Sequence, residues 1–158
     1  MKVWLLMVGR AGPLVATGVA EYQQRAARYW NLEVTEVKEE RARKGLSDDQ
    51  VRHAESQRLQ QRVPRGAELC ALTRAGQRWS SAEFARYLDD LTGQGKAGAA
   101  FLIGGALGLS DELLNHADFT LSLSSMTLTH ELARLLLTEQ LYRAGTIARG
   151  EPYHKARA

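Results

Sequence analysis

The sequence predicts an α/β protein built on a parallel sheet. Its most apolar runs, such as "KVWLLMV" and "AAFLIG", are short. They alternate with segments of helical periodicity along the whole 158-residue chain. Helix-opening signals of the form Ser-x-x-Gln or Ser-x-x-Glu fall between them. A parallel strand is covered on both faces, so it reads as an unbroken apolar run, and each return to the sheet needs a crossover, usually helical.

Each element has its own warrant. "KVWLLMV" is the first strand; "GRAGP" turns the chain, and Pro13 suits a first helical position. A helix is predicted from Leu14 to about Tyr29. "LEVTEVK" alternates apolar and polar residues, the pattern of a strand with one exposed face. Residues 39–46 form a charged connector. Ser47 with Gln50 makes a capping box that opens a polar helix to about Arg62, which "VPRG" stops. "AELCALT" is the third strand. Ser80 with Glu83 makes a second capping box, followed by the helical "AEFARYLDDL". "AAFLIG" is the fourth strand, and Ser110 caps a short helix after a Gly-rich turn. "FTLSLS" is the fifth strand, and the last helix runs from Thr129 or His130 to Ala148. Residues 1–158 are expected to form one domain, with a tail over about 149–158.

That last helix carries Leu132, Leu135, Leu136, Leu137, Leu141, Tyr142, Ala144, Ile147 and Ala148 on more than one face. A helix apolar on several sides must be covered on several sides. The sheet covers one, and a second subunit is the simplest cover for another; burial wholly within the monomer is the alternative.

The net charge is +3, with 44% hydrophobic and 25% charged residues. Such a surface is compatible with an acidic partner such as RNA and is equally that of an ordinary soluble protein. Cys70 is the single cysteine, so no intrachain disulfide can form; a reducing, cytoplasmic setting is expected. Set in "ELCAL", it reads as buried filler. The apolar start is too short to span a membrane.

Parallel sheets bind ligands at the carboxyl ends of their strands. Three such ends, "ALTRAGQRWSS", "LIGGALGLS" and "SLSSMTLTH", are rich in Gly, Ser and Thr, and together they predict a pocket. Gly104, Gly105 and Gly108 would let backbone approach a ligand closely. The phosphate-loop pattern and the dinucleotide fingerprint are both missing, and no Cys/His group has metal spacing. Cations gather over Lys38–Arg65, diluted by acids, and in the tail, where Tyr153 sits among Arg143, Arg149, His154, Lys155 and Arg157. Cations beside an aromatic can hold phosphate and stack on a base; a solvated terminus is the plain alternative. Glu139 and Arg143 have the spacing of a helix ion pair, which is at least as good an explanation as a catalytic one.

"FLIGGALGLS", "LSLSSMTLTHELARLLLTEQLYRAGTI" and "EPYHK" occur in an order and spacing that resemble the H-type ribosomal RNA large-subunit methyltransferases, of the SPOUT superfamily. The likeness extends over nearly the whole chain, including "MKVWLLMVG". It implies an S-adenosylmethionine-dependent homodimer that methylates N3 of a pseudouridine in 23S ribosomal RNA of the assembled ribosome. It also implies a Rossmann-like parallel-sheet fold whose C-terminal part is a trefoil knot. By the same resemblance, cofactor contacts fall at Leu72, Gly104, Leu123, Ser124, Ser125, Met126, Thr127 and Leu128. The substrate side would hold His130, Glu139, Tyr142, Arg143, Tyr153 and His154. The polar turn 122–129 would then be a wall of the cofactor pocket, and the apolar helix behind it core and dimer interface. Thr73, Thr129 and Ala106-Leu107 depart from the usual pattern of that family.

The nucleophile so implied is an imide nitrogen that must lose its proton, which calls for a base or a stabilising hydrogen-bond network. Glu139 and His154 are the candidates. The tail is expected to order over bound cofactor and target base. Methylation at another RNA position, or RNA binding without catalysis, are the alternative functions.

Overall fold

The computed structural model describes residues 1–155, so the last three residues of the predicted tail lie outside it. Five strands, β1 (Lys2–Val8), β2 (Asn31–Val37), β3 (Ala67–Arg78), β4 (Gly98–Ile103) and β5 (Phe119–Ser122), form one sheet in the order β2-β1-β4-β3-β5. Every pairing is parallel. Five helices alternate with them: α1 (Ala16–Ala26), α2 (Asp48–Gln60), α3 (Ser81–Gly93), α4 (Asp111–His116) and α5 (His130–Ala148). The predicted alternation and parallel class are therefore observed.

The central strands split their side chains between two cores. Val3, Leu5 and Met7 of β1 join Phe101 and Ile103 of β4 in one, with α1, α3 and α5 above them. Trp4, Leu6 and Val8 join Ala100 and Leu102 in the other, with Leu59 of α2 and Leu113 of α4. The crossovers β1→β2 and β3→β4 move one way along the sheet; β2→β3 and β4→β5 move the other. Helices on opposite faces give all four the same hand, as parallel crossovers require.

Both capping boxes form as predicted: Ser47 and Ser80 accept the N–H of Gln50 and Glu83, and those side chains bond back. Several boundaries differ. Helix α1 begins at Ala16 rather than Leu14, because residues 12–15 first make a turn in which the Gly12 carbonyl accepts from Val15 and Ala16. Pro13 belongs to that turn and is not the first helical residue. Strand β3 is longer than "AELCALT". Leu72 and Gln77 both lie opposite Leu121, so Thr73–Gly76 loops out before pairing with β5 resumes. Polar composition hid that second half.

Helix α5 packs between α1 and α3, burying Leu137, Leu141 and Ala144. Leu132 and Leu136 remain 38% and 40% exposed, so the chain alone does not cover every apolar face. Arg134 is buried on the α1 side and donates to Glu36 at 2.5 Å and Gln23 at 3.1 Å. The helix ends at Ala148, and Gly150 beyond its cap takes the left-handed conformation with a φ of +67°; Glu151 N–H then reaches the Thr146 carbonyl at 2.9 Å. Pro152–Lys155 follows as a 3-10 turn.

Candidate active site

The Thr73–Gly76 excursion of β3 and the carboxyl ends of β4 and β5 converge on a cavity of about 400 Å³. That size lies within the range of small-molecule sites. Leu72, Thr73 and Arg74 form one side, Ile103–Leu109 a second, and Leu121, Leu123 and Ser124 with Met126–Leu128 a third. Leu114 of α4, with His130 and Ala133 from the first turn of α5, completes the lining. Of the eight residues expected to touch a cofactor, seven line this cavity: Leu72, Gly104, Leu123, Ser124, Met126, Thr127 and Leu128. Ser125 belongs to the same turn but is exposed and does not line it.

The polar turn is held by its own hydroxyls. Ser122 Oγ donates to the Ser124 carbonyl at 2.9 Å, and Ser124 Oγ accepts the Met126 N–H at 3.0 Å. Thr129 caps α5, its side chain accepting from Leu132 N–H at 3.3 Å. The departure at Thr129 thus gives α5 a cap. Arg74 donates to Thr127 Oγ1 at 2.9 Å and bridges two of the three loops. Within "ALTRAGQRWSS" nothing sets Arg74 apart from Arg78; only the fold shows its reach to Thr127.

The glycines of the β4–α4 loop have reasons within the protein. A Cβ on Gly104 would stand 2.6 Å from the Gly108 carbonyl carbon and 2.9 Å from Leu109 N. The loop folds back on itself, with Gly108 N–H bonded to the Gly105 carbonyl at 3.0 Å. Close approach to backbone, rather than to a ligand alone, therefore demands glycine at 104.

Glu139, Tyr142, Arg143 and Tyr153 form a second cluster. Glu139 Oε1 accepts from Arg143 Nη2 at 2.6 Å, Arg143 Nε at 3.1 Å and Tyr153 OH at 2.9 Å; its Oε2 accepts from Gln140 at 2.8 Å. The predicted ion pair exists and serves a larger network. The Arg143 guanidinium lies 4.8 Å from the Tyr153 ring centre, and Tyr142 lies 4.5 Å from it on ring centroids. Burial, then the bond to Glu139, pushes the Tyr153 hydroxyl well above its ordinary pKa. The bond to Glu139 raises that of Arg143. His154 Nδ1 is buried without a hydrogen-bond partner among the described residues. The 3-10 turn is therefore packed on α5 through Tyr153, whereas the sequence suggested a tail ordered only by ligand. Aromatic stacking and the Glu139 bond supply that order.

His130 stands apart from this cluster, at the cavity. It is nine residues before Glu139 on α5, which at 1.5 Å per residue is roughly 13 Å along the axis. One chain carries both groups but holds them at two places.

Residues 1–154 match the family model described as "Predicted SPOUT methyltransferase". A protein of Gemmatimonas aurantiaca named "Ribosomal RNA large subunit methyltransferase H" is 48% identical, over 98% of this chain and 100% of its own. Namesakes from Acetivibrio thermocellus and Listeria welshimeri are 43% and 42% identical, at the same coverage. Among solved structures, a probable methyltransferase from Bordetella pertussis Tohama I shares the fold: TM-score 0.55, 16% identity, 91% of this chain and 94% of that one.

Proposed function

Because this chain belongs to the SPOUT methyltransferase family, we propose that it methylates large-subunit ribosomal RNA with S-adenosylmethionine as donor, at N3 of a pseudouridine in the assembled ribosome. The observation that carries this reading is the cavity where the β3 excursion meets the ends of β4 and β5, lined by seven of the eight residues that the family resemblance assigns to the donor.

The cavity suits such a donor. Leu72, Ile103, Leu109, Leu121 and Leu128 offer apolar walls for a flat base, while the turn 124–128 offers hydroxyls and backbone groups. Ser125 would act through its backbone. When bound, the donor supplies a methyl group already activated on a sulfonium. The protein's task is then position and orientation, worth up to roughly 7–11 kcal/mol in a well-aligned reaction.

On the substrate side, Glu139 holds Arg143 and Tyr153 in fixed orientation. Arg143 is the group to meet a phosphate or an imide anion, and Tyr142 and Tyr153 offer faces for a base. His154, whose Nδ1 has no described partner, is the better candidate to take the imide proton, since Glu139 is occupied by four donors. His130 would act beside the donor.

Separation of the two groups along α5 favours a homodimer in which the tail cluster of one subunit serves the cavity of the other. The exposed Leu132 and Leu136 supply apolar surface for that contact. The whole chain would act as one cytoplasmic domain. A C-terminal trefoil knot is part of the proposal. It is supported by the path of residues 123–129, which lead from edge strand β5 back to the middle of the sheet.

The test is methyl transfer from radiolabelled donor to ribosomes lacking the modification, with the product mapped to the nucleotide. Label at N3 of a pseudouridine is expected. Label elsewhere in the RNA would change the target, and no label with intact donor binding would leave an RNA-binding module.

A further inference from the structure

Helix α2 lies on the far side of the donor cavity and lines none of it, yet two of its side chains hold the loop that does. Glu55 is 3% exposed. A Cβ on Gly105 would stand 2.9 Å from Glu55 Oε1, 3.3 Å from Oε2 and 3.2 Å from Val8 Cγ1, so the carboxyl lies flat against the backbone of that loop. Its Oε2 accepts the Glu40 N–H at 3.1 Å. The adjacent Ser56, equally buried, accepts the Ser110 N–H at 2.9 Å. The loop Gly104–Ser110 is thus braced near both ends from behind, while Gly104–Leu109 face the cavity.

Burying a carboxyl with a single hydrogen bond is costly. Among the described residues no cation bonds it: Arg58, whose charge favours the ionised form from nearby, bonds the Lys38 carbonyl at 2.9 Å and the Glu40 carboxylate instead. Glu39 and Glu40 are like charges. An apolar side chain would fill this space without that cost. It would not accept the Glu40 N–H while presenting a flat, branch-free group to Gly105.

We infer that Glu55, with Ser56, is a positioning residue for the donor-binding loop, setting where Gly104–Leu109 stand without touching the donor. The inference rests on the donor reading of the cavity. It predicts a fault confined to donor affinity, because the Glu139–Tyr153 cluster is elsewhere.

The experiment uses the full chain, S-adenosylhomocysteine calorimetry, and turnover on unmodified ribosomes. Glu55→Ala should raise the Kd, and the donor KM, about tenfold, within the range of coupling between residues that share one packed network, here Glu55 and the loop. Its kcat at saturating donor and its KM for ribosomes should stay within about twofold. Glu55→Gln, which keeps the flat group and the acceptor, should restore donor affinity. Gly105→Ala should weaken donor binding alone. Combined with Glu55→Ala it should add little, because the obstructing carboxyl is gone. A parent protein that binds no S-adenosylhomocysteine overturns the donor reading and this inference together. A parent that binds, with Glu55→Ala binding equally well, overturns this inference alone. So does strict additivity of the two substitutions, or loss of kcat and thermal stability without rescue by Gln. Should Glu55→Ala not fold, Ser56→Ala must still split donor KM from kcat.

Discussion

The Tyr29 ring, at the end of the α1 turn, lies directly on Gly145 of α5. A Cβ at 145 would stand 2.5 Å from Tyr29 Cβ, and closer still to Cγ. Tyr29 also donates to the Glu151 carboxylate, and Arg149 lies over its ring at 4.6 Å. Glycine inside a helix costs about 1 kcal/mol relative to alanine. Here it admits the tyrosine that ties α1 to the end of α5. Gly145→Ala should therefore destabilise the protein, against helix propensity, by about 1–3 kcal/mol of overpacking. In thermal melts the midpoint should fall by several degrees; an unchanged or higher midpoint would show that the ring moves aside freely.

Glu139→Gln removes the charge that orients Arg143 and keeps the space. Methyl transfer to ribosomes should fall by about a hundredfold or more, a usual scale for a positioned acid–base network. Tyr153→Phe removes one of its donors and should cost less. In both variants S-adenosylhomocysteine should bind as in the parent, since neither residue lines the cavity. Loss of donor binding in either would merge the two groups that the chain holds apart.

Leu136 tests the second copy. The parent should sediment at twice the 17.5 kDa chain mass. Leu136→Glu should give a folded monomer that has lost methyl transfer. A monomeric parent, or a fully active monomeric variant, would mean that each chain works alone.

Burial raises the Glu55 carboxyl above its ordinary pKa, with the Glu40 N–H opposing. The sign follows from linkage. The folded state holds this proton more tightly than the unfolded chain, so the stability it contributes is complete below the usual carboxylate value of about 4.3. That stability is lost as pH rises through the elevated folded value. Glu55→Gln cannot ionise. Its midpoint relative to the parent should rise as melts move from about pH 4 toward neutrality; a constant offset would show that the carboxyl does not titrate on folding.

Much of this architecture can be read from residue patterns, and the exceptions are physical. Both capping boxes and the parallel class follow from local chemistry and from strands buried on two faces. The continuation of β3 does not, because Gln77 and Arg78 are polar and pair only after a four-residue excursion opposite Leu121. The Gly-rich loop is visible as a turn, but its bracing by Glu55 and Ser56 is not. Those side chains sit in a polar helix whose pattern suggests solvent, and burial by a distant loop leaves no periodic trace. Likewise "LTHEL" marks a helix start, while the clasp of Arg74 on Thr127 joins residues that only the fold brings together. The Glu139–Arg143 pair is legible from its spacing; the placement of Tyr153 on it depends on the bend at Gly150.

Helix α5 fills the middle of one sheet face, between α1 and α3, and it is the last long element of the chain. During synthesis, β1 and β4 must therefore wait, with Leu5 and Phe101 short of their cover, until α5 has been made. Native packing cannot proceed segment by segment from the amino terminus, as it does when early domains fold as units. A nascent chain halted after α4 should stay sensitive to protease along its full length, and resistance should arrive in a single step once α5 is released.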